Sequence, residues 1–183
     1  MLLKIKIRYI TFLSLIIIFT IITGTVFSQY NEKHLVAGDK APNITCDDMI
    51  GNCTELNALS GKIVLIEFWG SNNRSSMVDH AELEKIYMDY KDVNFKNGDG
   101  FEVYSIALDD SGESWKMATI RDNNSWEYSM RSPERWNSKA ALDYNIQSIP
   151  KYFLINGDGE IIETLFMMKD LPQILSKYSG KIR

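Results

Sequence analysis

Ile63 to Trp69, IVLIEFW, is the stretch that most narrows what this chain can fold into. Six of its seven residues are apolar, three of them β-branched and two aromatic, with no polar alternation. A run of that kind suits a strand covered on both faces, which requires helices or further chain above and below it. Directly after Gly70 the period changes. Val78, Ala81, Leu83, Ile86, Tyr87 and Tyr90 recur at helical spacing among Asp79, Glu82, Glu84 and Lys85, which predicts an amphipathic helix over about Ser76 to Tyr90. A buried strand running at once into such a helix points to an α/β fold.

The rest of the chain extends that pattern. Asn97-Gly98-Asp99-Gly100 punctuates the chain before a second core strand at Phe101 to Leu108, and Glu113 to Arg121 reads as a short helix. An irregular stretch from Trp126 to Trp136 leads to a helix at Ser138 to Tyr144. Tyr152 to Ile155 and Glu160 to Phe166 read as strands joined by Asn156-Gly157-Asp158-Gly159, a hairpin signal, and Asp170 to Tyr178 closes as a helix. Both Asn-Gly-Asp-Gly segments lack the spacing and distal Glu of a calcium loop, so they read as turns and no metal site is expected. Upstream, residues 29–37 are a polar lead-in to a domain spanning 38–183. Near its start Asp48-Met49-Ile50-Gly51 reads as a tight turn between two short strands carrying Cys46 and Cys53.

Residues 1–28 have a basic stub (Lys4, Lys6, Arg8), an apolar run, and Val26-Phe27-Ser28 as a cleavage candidate. That layout fits a secretory signal. An uncleaved anchor is the alternative, because Tyr9 to Phe27 holds no charge. Either way the expected location is periplasmic or secreted, with any membrane contact made through residues 1–28. Three of the 20 Lys and Arg and none of the 24 Asp and Glu lie in that segment, so the remainder carries a net charge of −7. An acidic excess without a basic face argues against a nucleic-acid partner.

Several short pieces, in this order and spacing, resemble one known family. They are Gly38-Asp39-Lys40-Ala41-Pro42; Leu59-Ser60-Gly61-Lys62 before the apolar strand; Phe68-Trp69 and Ser71 entering the helix; and Glu82-Leu83-Glu84-Lys85-Ile86-Tyr87. Ala107-Leu108-Asp109-Asp110 and Tyr144-Asn145-Ile146-Gln147-Ser148-Ile149-Pro150, followed by Phe153-Leu154-Ile155, complete the set. The chain from Gly38 to Tyr178 resembles the thioredoxin-fold thiol-disulfide oxidoreductases of the ResA/TlpA type, the redoxins. The resemblance implies a three-layer sandwich with a central mixed sheet flanked by helices, here with an N-terminal β-hairpin, and no cofactor.

In that family the strand runs into Cys-x-x-Cys at the helix N-terminus. This sequence has Asn73-Arg74-Ser75-Ser76 there, with Asn73 and Ser76 at the two cysteine positions. A helix N-terminus lowers a thiol's pKa and so makes an attacking thiolate; an Asn cannot do this. Ser76 as a hydrolase nucleophile would need a base. His80 lies one turn on, but the sequence shows nothing to orient its ring, so Ser75 or Ser76 is expected to cap the helix.

By the same resemblance Pro150, after Ile149, corresponds to a cis-proline facing the motif, and Trp69, Ile149 and Pro150 would form a surface for an extended peptide or protein. Shape alone is the alternative role for Pro150. Glu67 falls where many thioredoxins hold a buried acid, which would need a partner such as Lys62, Ser76 or a water. Asp79 falls where relatives carry a helix acid, or simply complements the helix dipole from the first turn. Trp115, Trp126 and Trp136 read as core or rim aromatics.

Cys46 and Cys53 have six residues between them, the wrong spacing for Cys-x-x-Cys. If they face each other across the turn, the separation of opposed strand residues matches what a disulfide needs. The bridge reads as a staple, with a redox switch as the alternative. The leading expectation is therefore a thioredoxin-like binding or scaffold module, redox-inactive at the usual site, that uses the old substrate surface, with Arg74 available to an acidic partner. The alternatives are a thiol-disulfide oxidoreductase working through Cys46 and Cys53, and a peroxiredoxin relative, which would also need a thiolate near the helix start.

Overall fold

The structure is a computed structural model that describes residues 34–180 apart from residues 48 and 165. The signal or anchor segment expected at 1–28 lies outside the described residues, as does most of the lead-in. Among the described residues there are eight strands: β1 (Ile50–Gly51), β2 (Ile63–Trp69), β3 (Asn94–Phe95), β4 (Gly98–Asp99), β5 (Phe101–Ala107), β6 (Tyr128–Arg131), β7 (Lys151–Ile155) and β8 (Ile161–Glu163). The helices are α1 (Arg74–Tyr90), α2 (Gly112–Arg121), α3 (Lys139–Asp143) and α4 (Leu171–Tyr178).

The IVLIEFW run is β2, buried along its whole length and central in a six-stranded sheet of order β1-β6-β5-β2-β7-β8. The sheet is mixed: β2 pairs parallel with β5 and antiparallel with β7, and β5 pairs parallel with β6. Alternation along β2 sorts its side chains between two cores. Val64, Ile66 and Phe68 join Tyr104, Ile106, Tyr144 and Phe153 on the face covered by α3. Ile63 and Leu65 join Leu83 and Ile86 of α1 and Leu171, Ile174 and Leu175 of α4 on the other. This is the expected thioredoxin-like three-layer arrangement.

Two local expectations differ. The N-terminal hairpin is not formed: Ile50 and Gly51 pair with Arg131 and Met130 of β6, at the far edge of the sheet, while Cys46 lies in a bend. The 126–136 stretch read as irregular supplies that partner strand. Gly51 has φ 123°, and a Cβ there would lie 2.7 Å from Trp115 Cη2 and 2.8 Å from the Ser129 carbonyl. Gly51 is therefore needed for close docking on β6 rather than for a hairpin turn. The end of the polar lead-in packs on the domain through buried Leu35, and directly after it the Gly38 and Ala41 amides donate to the Ile161 and Gly159 carbonyls.

Candidate functional site

β2 ends at Trp69, and Gly70 begins the turn into α1 with Ile149 Cδ1 only 2.8 Å from where its Cβ would be. The missing side chain lets the Ile149–Pro150 loop approach the head of α1. The Ile149–Pro150 peptide bond is cis. α1 starts at Arg74, two residues earlier than its apolar period implies, because Asn73 caps it: Asn73 Oδ1 accepts from the Ser76 amide at 3.0 Å. Ser75 and Ser76 are thus not the cap. Ser76 is fully buried, and its hydroxyl also donates to Asn73 Oδ1 at 3.3 Å. Asn73 Nδ2 donates to the Ile149 carbonyl at 3.2 Å, tying the helix head to the proline loop.

Two clefts flank this tie. One, of about 310 Å³, is lined by Gly70, Asn73, Asp110, Arg135, Trp136 and Ile149. The other, of about 570 Å³, is lined by Ser75, Asp79, Pro150, Tyr152, Phe166 and Met167. Arg74 is exposed and makes no ion pair among the described residues. Asp79 lies past the first turn of α1, and its carboxylate accepts from the Tyr152 hydroxyl at 2.7 Å, so it is not a dipole-complementing first-turn acid. Trp69 is not part of the accessible surface. Its place in the β2 alternation turns it to the α1 side, where it is fully buried against Ala107, Trp115, Ala118 and the His80 ring at 4.4 Å.

Beneath the helix head is a buried ionisable chain that sequence reasoning missed. Glu67 and His80 are both 0% exposed. Glu67 Oε1 meets His80 Nε2 at 3.1 Å and its Oε2 accepts from Ser105 at 2.9 Å, so its partners are neither Lys62 nor Ser76. His80 Nδ1 meets Asp122 Oδ2 at 2.9 Å, and Asp122 takes a further bond from Arg121 Nε at 2.6 Å. Burial pulls the His80 imidazole down, but Glu67 and then Asp122 outweigh it and hold it above its ordinary value. Burial pushes Asp122 up, yet hydrogen bonds from Arg121 and His80 bring it below the usual carboxylate range. Trp69 and Trp126 edge the imidazole and exclude water. His80 was visible in the sequence one turn on from Ser76, but its partner Asp122, 42 residues away, was not.

Cys46 and Cys53 form a disulfide with a Cα separation of 5.8 Å, and both residues are half-buried. It lies beside β1, off the helix head. Among the described residues no cysteine is free, and no group of three His, Cys, Asp or Glu is placed to hold a metal ion.

A parallel β2-α1-β5 unit, an antiparallel closing hairpin and a proline loop meeting the head of the helix after the central strand together define a thioredoxin-type scaffold. The chain belongs to the thioredoxin-like family, whose model matches residues 61–161. Among curated relatives it is similar to the thiol-disulfide oxidoreductase ResA of Bacillus anthracis, 26% identical over 175 residues covering 91% of this chain and 94% of that protein. It is also similar to ResA of Bacillus subtilis strain 168, 28% identical over 156 residues covering 81% and 80%. Among solved structures it resembles the thioredoxin domain of a thiol-disulfide oxidoreductase from Bacteroides vulgatus, with a TM-score of 0.68, 29% identity, and coverage of 78% of this chain and 97% of that one. A thiol:disulfide interchange protein from a Bacteroides species gives 0.69, 28%, 81% and 94%.

Proposed function

We propose that this chain is an extracytoplasmic thiol-disulfide oxidoreductase whose exchange chemistry runs through Cys46 and Cys53 instead of the head of α1. The observation that carries the reading is the half-buried Cys46–Cys53 bridge, the one cysteine pair in a chain whose named relatives are thiol-disulfide oxidoreductases. Asn73 and Ser76 offer no sulfur, and Asn73 is already engaged as cap and loop tie. An oxidising compartment suits a persistent bridge, and the layout of residues 1–28 supports export. Reduction of insulin with a dithiol donor tests this. Turnover is expected from the natural chain and not from Cys46→Ser/Cys53→Ser; equal rates with and without the cysteines overturn it.

A second reading is a binding module that holds an extended peptide at Ile149–Pro150, without redox chemistry. The Asn73 bond to the Ile149 carbonyl favours it, because it stabilises the loop between two open clefts with no thiol present. Here affinity capture from the envelope fraction survives Cys46→Ser/Cys53→Ser and is lost in Arg74→Ala/Pro150→Ala. An identical set of captured proteins from the latter variant counts against this reading.

A further inference from the structure

Resting on the oxidoreductase reading, we propose that the Cys46–Cys53 pair is chemically asymmetric: an incoming thiolate attacks Cys46, and Cys53, beside the Tyr104 hydroxyl, is the leaving and resolving sulfur. The two sulfurs have different surroundings. Cys53 packs against the core on the α3 face of the sheet. Its Sγ lies 3.9 Å from Tyr104 Oη and 3.9 Å from the Thr54 carbonyl, to which Tyr104 donates at 2.8 Å. Cys46 lies in the bend before exposed Asp47 and is not part of that packing. A thiolate approaches along the S–S axis from beyond the sulfur it attacks, and of the two half-buried cysteines Cys53 is the one that packs on the core.

In the first step a thiolate of a dithiol reductant bonds to Cys46 Sγ. The Cys46–Cys53 bond breaks, and its electron pair leaves on Cys53 Sγ. The phenolic O–H of Tyr104 is placed to turn from Thr54 to that new thiolate, and a stabilised leaving thiolate departs faster. The reductant's second thiolate then attacks its own sulfur in the mixed disulfide, releasing Cys46. The reductant is oxidised to a disulfide, two electrons pass to the pair, and its two thiol protons end on Cys46 and Cys53. Run in reverse, Cys53 resolves a mixed disulfide held on Cys46.

The charges around the pair give the phenol a role. Asp47 within the ring and Glu55 just beyond it are exposed carboxylates that disfavour a thiolate. Tyr128 stacks on Tyr104 with ring centroids 6.4 Å apart. Tyr104 is fully buried, and burial, followed by the charge of Glu55, pushes it above the usual phenol range, so it keeps its proton where a thiolate forms.

The test treats the natural oxidised chain with excess 2-mercaptoethanol, quenches with acid within one half-life, alkylates the free thiol and maps both labels by mass spectrometry. Mercaptoethanol on Cys46 and alkyl on Cys53, in at least about tenfold excess over the reverse, is expected; equal or reversed labelling overturns the asymmetry. Tyr104→Phe keeps the ring and removes the hydroxyl. It should slow this step by roughly threefold or more and raise the pKa of the Cys53 thiol, read from pH-dependent alkylation, without moving that of Cys46. An unchanged rate and unchanged Cys53 titration overturn the role of Tyr104. Insulin turnover with adducts on Cys53 overturns this inference and leaves the oxidoreductase reading standing. No adduct on either cysteine, with no cysteine-dependent turnover, overturns both.

Discussion

His80 joins three elements through one ring: Glu67 of β2 on Nε2, and on Nδ1 Asp122, just past the end of α2, with His80 itself on α1. Glu67 and His80 are fully buried and the Asp122 side chain is nearly so; removing one member of such a charged set leaves the others unpaired, which commonly costs about 3 to 5 kcal/mol. His80→Ala should lower the urea unfolding free energy by that amount, and a loss below about 1 kcal/mol would show the contact to be weak. The pH dependence follows from the shifts. His80, held above its ordinary 6.5, contributes fully below 6.5 and loses its contribution as pH rises through the raised value. Asp122, held below 3.8, contributes above 3.8 and loses it as pH falls through the lowered value. Stability from this chain is thus greatest between pH 3.8 and 6.5 and declines above, and His80→Ala should flatten the alkaline decline. The burial of Glu67 was legible from its apolar strand, whereas its partners were not, since Ser105 and His80 approach it only when β5 and α1 pack on β2. The cap shows the same limit at short range: Asn73, Ser75 and Ser76 are all competent caps, and the extended backbone at Asn73 together with the burial of Ser76 selected the first.

At the scale of elements, β2, β5 and α1 could be read in advance because each carries a sustained apolar pattern, and β7 because its apolar run meets the Asn156-Gly157-Asp158-Gly159 turn. β1 and β6 could not. Tyr128–Arg131 has four residues of mixed polarity, and Ile50–Gly51 has two, both exposed. Such strands exist because a neighbour offers its edge, which no local window records. Their register depends on the absence of a side chain at Gly51. Gly51→Ala would force a Cβ against the Trp115 ring and the Ser129 carbonyl at positive φ. It should cost about 1 to 3 kcal/mol. It should also speed amide exchange at Asn52, whose N–H bonds the Ser129 carbonyl. Exchange unchanged from the natural chain would mean that β1 docks without that close approach.

Over the whole molecule the disulfide closes a small ring, Cys46 to Cys53, on the edge of the sheet. Loop-closure entropy for so short a ring is worth roughly 2 to 3 kcal/mol. Cys46→Ser/Cys53→Ser should therefore reduce stability by that much and leave the sheet intact, as judged by chemical denaturation and far-UV circular dichroism. A global collapse would show that the bridge holds more than its own segment. The sequence by itself determined the α/β layering, the central strand, the closing hairpin and the absence of a thiol at the head of α1, because periodicity and residue chemistry are local properties. Only the tertiary structure decided that Trp69 faces inward, that His80 bridges two carboxylates, that β1 pairs with β6 and that Cys53 lies against Tyr104. Each of those depends on which distant segments meet when both faces of one sheet are covered, and burial then sets the chemistry of the groups enclosed.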